Sequence, residues 1–325
     1  MRSTLVVLGL FCAISLQAKT LCLEIALREN GDRLSLESSE GSSRPSLSRK
    51  AIAADFRVIY EALENHSKLK GKVDDLIQKL SKELLAPLAA QIQSASCVVF
   101  QINQSQKYYA LDLLFAGQDP LFVEKPVAFA FRKDVDFTKK LRQDAKGLIL
   151  RDPDADPENG TGKANEMFPG SKFKLMKQTN PGIFSGSVDF VLVSGHGSVT
   201  LPWENSDDAD DDSIGFNDDD LTADILGKTK HTLTYLDSCQ LGMSQDFISA
   251  SRKAGSSYYL APIVSNEAGN SSTRTIKYFF GALRDGQTPM LALHTARKKL
   301  YNEFKNKASR ENLLYYAYPF RLYGL

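Results

Sequence analysis

Cysteine is scarce. Four residues in 325 are too few for a fold held together by a disulfide framework. An excess of one charge is missing too. Forty Lys and Arg face 39 Asp and Glu, which excludes a protein that grips nucleic-acid phosphates through bulk positive charge. Beyond the first residues no apolar run reaches the length of a membrane span. No internal repeat is visible, and the chain has one tryptophan, Trp203. Against these absences, 42% hydrophobic and 24% charged residues are ordinary globular values and argue against a largely disordered chain. The length allows one large domain or two modest ones, enough to bury roughly three quarters of the unfolded surface.

The N-terminus departs from this average. Arg2 supplies a positive start, Leu5 to Leu16 form an apolar stretch, and Ala18 is a small residue ahead of the polar pair Lys19 and Thr20. Residues 1–18 therefore read as a secretory signal, and the protein as secreted or periplasmic. A buried terminal segment is the alternative. Cleavage removes Arg2 and Cys12, leaving 39 basic against 39 acidic residues and three cysteines: Cys22, Cys97 and Cys239. An odd count in an oxidising compartment leaves one free thiol. Cys22 and Cys97 both lie in strand-like runs, and a disulfide between them or two buried thiols are equally open.

Residues 21–27 alternate as a strand, and the Ser-rich, charged residues 28–50 read as a mobile loop or linker. Helical spacing follows over 51–64 and 72–93. Strand-like runs at 97–102, 108–115 and 126–131 suggest a small antiparallel meander. From about residue 140 strands alternate with helices: strands at 147–150, 172–178, 188–193, 232–237 and 257–264, and helices at 221–227, 247–255 and across 273–304. Asp220 is a candidate N-cap and Gly255 a candidate C-cap. A strand over 315–323 closes the chain. This alternation predicts an α/β fold with a mainly parallel sheet covered on both faces.

In such sheets reactive groups collect where strands end. The run VDFVLV leads into Ser194, Gly195, His196 and Gly197. The run TLTYL leads into Asp237, Ser238, Cys239 and Gln240. His196 and Cys239 are 43 residues apart, room for one right-handed crossover between neighbouring strands. A thiol beside an imidazole is a nucleophile with its own base. Gly195 and Gly197 let the backbone fold tightly around the histidine. The N–H groups of Gly197 and Cys239 are candidates for an oxyanion hole. Taken singly, either residue is more often structural than catalytic; the pair, each closing a strand with a helix between, is the signal. Asp237 shares a strand face with Cys239 and suits an Arg or Lys just before the scissile bond; the plainer reading caps a turn or pairs it with Arg274.

The segments LVSGHGS and LTYLDSCQLG resemble the caspase-type cysteine peptidase superfamily and, within it, a CHAT domain. RKAGSSYYLAPIVSNEA, FFGALRDGQTPMLALHTARKKL and YAYPFRLYGL extend the resemblance, which spans roughly residues 80–325. It implies a three-layer α/β/α caspase-like sandwich over 140–325 with a smaller N-terminal α+β subdomain of CHAT type over 19–139. It implies a cysteine endopeptidase acting on a protein or peptide substrate, with Asn266 and Glu267 near the substrate cleft. Asp237 stands where CHAT sequences more often carry Ala or Ser; metacaspases are similar to this chain there and use such an aspartate for basic residues. No upstream helical repeats are seen.

Residues 207–220 hold eight aspartates, and that carboxylate density suits Ca²⁺. Asp207, Asp208, Asp210, Asp211 and Asp212 are the candidate ligands, although the spacing is not that of an EF-hand and a solvated loop is the commoner outcome. No cofactor is otherwise required. His66, His231 and His294 read as structural or solvated, and Trp203 as groove-lining or packed. Arg44, Arg49 and Lys50 offer sites for self-cleavage if basic residues are preferred. Two alternatives to a peptidase stand: a catalytically silent interaction module and a calcium-responsive sensor.

Overall fold

A computed structural model describes residues 22–65, 72–176, 181–201, 203, 212–216 and 219–325. Residues 1–18, read from the sequence as a signal, and His66 and the aspartates from Asp207 to Asp211 lie outside the described residues. The strands are β1 (Leu23–Asn30), β2 (Arg33–Ser38), β3 (Gly41–Ser43), β4 (Val98–Gln101), β5 (Val127–Ala130), β6 (Gly147–Arg151), β7 (Lys172–Leu175), β8 (Phe190–Ser194), β9 (His196–Ser198), β10 (Ser213–Phe216), β11 (Asp219–Thr222), β12 (Leu233–Asp237), β13 (Tyr258–Pro262) and β14 (Phe320–Gly324). The helices are α1 (Arg49–Asn65), α2 (Lys72–Leu80), α3 (Ala89–Ser94), α4 (Leu121–Glu124), α5 (Gly160–Met167), α6 (Ala223–Leu226), α7 (Gln245–Lys253), α8 (Asn270–Arg284), α9 (Pro289–Phe304) and α10 (Arg310–Ala317).

The fold is α/β, as the alternation predicts. Eleven strands form one mostly parallel sheet in the order β3-β2-β1-β4-β5-β14-β13-β12-β8-β6-β7. Period-two alternation explains why helices cover both faces. Val191 and Val193 of β8 enter one core with Phe247 and Ile248 of α7, whereas Phe190 and Leu192 enter the other with Phe279 and Phe280 of α8. β14 pairs antiparallel with β13 and parallel with β5, so residues before and after 140 share one sheet. Cys22 and Cys97 form a disulfide: the parallel register that sets Leu23 opposite Val98 brings the two cysteines side by side.

Several expectations need correction. The 28–50 segment is not a loop: Leu34 and Leu36 alternate into the core on β2, which hairpins onto β1 and β3. The antiparallel meander over 97–131 is absent, because β4 and β5 pair in parallel and residues 108–115 turn through a short 3₁₀ segment between them. The helical run expected over 72–93 is present but is not one regular α-helix: it passes into a π turn (Ser81–Leu85) and a 3₁₀ turn (Ala86–Leu88) after Leu80 and resumes as α3. At the first of these turns the Ser81 hydroxyl bonds to the Ile77 carbonyl and to the Phe115 N–H, and Pro87 follows. Asp220 is no N-cap: it pairs with Gly215 in the ribbon β9-β10-β11, and α6 starts three residues later. Residues 315–317 end α10 rather than begin the last strand. Gly255, with φ of +84°, does close α7.

Candidate active site

β8 and β12 lie side by side, with Ser194 opposite Asp237. The Gly195 N–H donates to the Asp237 carbonyl at 3.3 Å, tying the turn after β8 to the end of β12. Gly197 then packs its α-carbon on the Cys239 peptide. A Cβ there would overlap the Cys239 carbonyl oxygen and lie 2.7 Å from the Cys239 nitrogen, so only glycine fits. The turns bearing His196 and Cys239 therefore meet. His196 heads β9, exposed to solvent and opposite Gly215 of β10.

Cys239 is the free cysteine among the described residues and is half-buried. Its thiol lies 3.9 Å from the Asn266 carbonyl oxygen. Among the described residues no hydrogen bond joins it to the His196 imidazole, and the Cys239 N–H has no acceptor. Burial pushes the thiol pKa up, and the negative charges of Asp237 and Glu64 push it the same way. The residue after it, Gln240, is left-handed with φ of +60°, a sharp elbow behind the sulfur.

Asp237 is buried at 3% exposure. Its Oδ1 accepts from Asn266 Nδ2 at 2.7 Å and from the Ser272 hydroxyl at 2.5 Å, and its Oδ2 accepts from the Ser194 hydroxyl at 2.8 Å. Among the described residues no cation pairs with it; Arg274 instead binds Glu303 at 2.9 Å. Burial raises its pKa to about 6 despite the three donors, and Asp156 adds to the rise. Asn266 thus links nucleophile and aspartate, through its carbonyl to the first and its side chain to the second. Glu267 serves α8: its carboxylate accepts from the Ser271 N–H and hydroxyl at 3.3 and 3.1 Å.

Sequence reasoning missed three acidic residues. Asp152 is fully buried, and its main-chain N–H donates to the Ser194 carbonyl. Among the described residues its Oδ2 has no partner, nor do the buried Asn266 Oδ1, Ser238 Oγ and Thr273 Oγ1. Asp156 accepts from the Gly160 and Thr161 N–H groups at the start of α5 and pairs with Arg151 at 3.3 Å. Both stand in a run that reads simply as an Asp-rich turn. Glu64 at the end of α1 has no sequence signal at all. Its Oε1 accepts from Gln240 Nε2 at 3.1 Å and from the Ser265 N–H at 2.6 Å.

The other candidates scatter. Asp212 accepts from the Thr200 N–H at 3.1 Å, and among the described residues no three metal-binding side chains cluster. His231 is buried between the Thr229 carbonyl and the Thr234 hydroxyl, each 2.6 Å away. His294 faces the Phe122 carbonyl. Burial lowers both imidazoles to about 4. Trp203 packs edge-on against Tyr60 and Tyr108, with centroids 4.9 and 5.8 Å away. Arg49 pairs with Glu29 at 2.6 Å. Among the described residues no helix is long and apolar enough to cross a membrane. No protein-family model matches the chain, and no curated protein matches it either.

Proposed function

We propose that the protein is a caspase-type cysteine endopeptidase, related to CHAT domains, that cleaves after basic residues. One observation carries the reading: the Gly197 α-carbon rests on the Cys239 peptide, which brings the turn bearing a candidate base and the turn bearing a candidate nucleophile to one point at the ends of β8 and β12. In the reaction His196 takes the Cys239 thiol proton and Sγ attacks the scissile carbonyl carbon. The resulting oxyanion accepts from the N–H groups of Cys239 and Gly197. His196 returns the proton to the leaving amine as the C–N bond breaks, and water, deprotonated by His196, then hydrolyses the thioester.

Asp237 supports the basic preference. A buried carboxylate held by neutral donors alone, its pKa raised by desolvation, gains most from an incoming ammonium or guanidinium. Asp156 deepens the negative field there. The disulfide supports secretion or a periplasmic location. Cleavage of a positional-scanning peptide library, with and without Ca²⁺, tests the activity, the preference and the proposed Ca²⁺ role of Asp207, Asp208, Asp210, Asp211 and Asp212 together. Wild type is expected to cut after Arg and Lys, and Cys239→Ala to lose all cleavage while melting normally. Absence of cleavage of any peptide under either condition sinks the reading.

A second reading is a silent interaction module of the same fold. It is favoured by a thiol that faces the Asn266 carbonyl and has its pKa raised by burial. Failure of a thiol-reactive Arg-peptide probe to label Cys239 would select it.

A further inference from the structure

Three loops carry the site, and helix α1 touches all of them. Its residues Arg57, Tyr60 and Glu64 are spaced to share one face. The Arg57 guanidinium lies 5.8 Å from the Trp203 ring centroid and Tyr60 packs edge-on to the same ring, which fixes the chain beyond His196. Glu64 reaches the other two loops with one oxygen, binding the Gln240 side chain just after the nucleophile and the Ser265 N–H just before Asn266.

We propose that Glu64 is a positioning residue for the nucleophile: from outside the sheet it holds the Cys239 elbow and the Ser265–Asn266 segment in fixed relation. This deepens, and rests on, the peptidase reading of Cys239. The elbow needs such a hold. A non-glycine residue in the left-handed region is strained and persists only where its surroundings fix it, and among the described residues Glu64 is the hydrogen-bond partner of the Gln240 side chain. The Asn266 carbonyl that meets the sulfur and the Asn266 amide that meets Asp237 hang on the main chain one residue beyond the N–H that Glu64 binds. Movement of Ser265 therefore moves both.

Charge separates this role from plain packing. The titratable groups acting on the thiol are Asp237 from its own strand, Glu64 from α1 and Tyr315 from α10, with Glu267 beyond Tyr315. Glu64 opposes thiolate formation even as it orients the sulfur.

Three proteins are compared: wild type, Glu64→Ala and Glu64→Gln. Each is assayed for cleavage of an Arg peptide and for the pH dependence of iodoacetamide alkylation, read at the Cys239-containing peptide. Glu64→Ala is expected to lower kcat about tenfold to a hundredfold, the worth of hydrogen bonds to a charged acceptor. Glu64→Gln keeps an acceptor oxygen and is expected to restore kcat to within about threefold, with its alkylation profile moved to lower pH. A Glu64→Ala enzyme as fast as wild type or faster, or a Glu64→Gln profile that does not move, overturns the proposal. Should wild type cleave nothing, the peptidase reading falls by itself, while an unmoved Glu64→Gln alkylation profile still counts against Glu64.

Discussion

Two aspartates are buried to nearly the same depth and live in opposite conditions. Asp112, 1% exposed, sits between Arg297 at 3.0 Å and Arg321 at 3.3 Å and also accepts from the Tyr318 hydroxyl at 2.9 Å. Although burial works against its charge, the two guanidiniums hold its pKa below the usual carboxylate range. Asp237, 3% exposed, has hydroxyl and amide donors and no cation among the described residues, and its pKa climbs to about 6. The first arrangement is a joint: it locks the segment before β5 to α9 and β14, with Arg321 stacked 4.1 Å from the Phe129 ring centroid and Arg297 4.8 Å from the Phe122 centroid. The second weakens the fold at neutral pH. One buried carboxylate thus has a complete counter-charge, and the other, among the described residues, has none.

Breaking the joint should have the larger effect. Asp112→Ala leaves two buried guanidiniums facing each other and should cost about 3–5 kcal/mol, read as a lowered urea midpoint. Asp237→Asn should do the reverse. Because its folded pKa is raised, Asp237 contributes most stability below about 3.8 and loses it as pH rises through about 6. The Asn variant should therefore match wild type near pH 4 and exceed it by about 3 kcal/mol above pH 6, while losing any preference for Arg or Lys peptides. Equal stability at pH 7.5 would remove the strain on which the comparison rests.

His231 supplies the opposite sign. Its folded pKa is lowered to about 4 by burial, so its contribution is complete above about 6.5 and is lost as pH falls toward 4. His231→Gln should flatten the acid limb of a stability profile, by about 3 kcal/mol at its foot. The smallest effect concerns Ser272, whose hydroxyl is 2.5 Å from Asp237. Ser272→Ala should cost about 1 kcal/mol above pH 6 and little at pH 4, where the carboxyl is protonated. A pH-independent loss would mean that the hydroxyl serves packing and not the charge.

The strands that end at Ser194 and Asp237 were legible because five-residue apolar runs followed by Gly- or Ser-bearing turns have few other readings, and their spacing fitted one crossover. The disulfide was open on sequence alone and needed the β1–β4 register to decide it. The N-terminal part is less legible: Leu34 and Leu36 are only two apolar positions in a Ser-rich stretch, and strand-like composition over 108–115 gives way to tertiary packing. Glu64 could not be found at all. Its partners lie 176 and 201 residues away, and a contact across that distance leaves no periodicity behind.

The ladder between β14 and β5 bears on how much of the chain can be cut away. Many proteolytic zymogens carry a detachable pro-segment. Here, stripping away everything before residue 140 would bare the flank of Phe320–Gly324 along a hydrogen-bonding edge and remove α1 with its grip on the cleft, leaving a sticky remnant. A cut that leaves the lamina whole would have to fall in a turn between its strands.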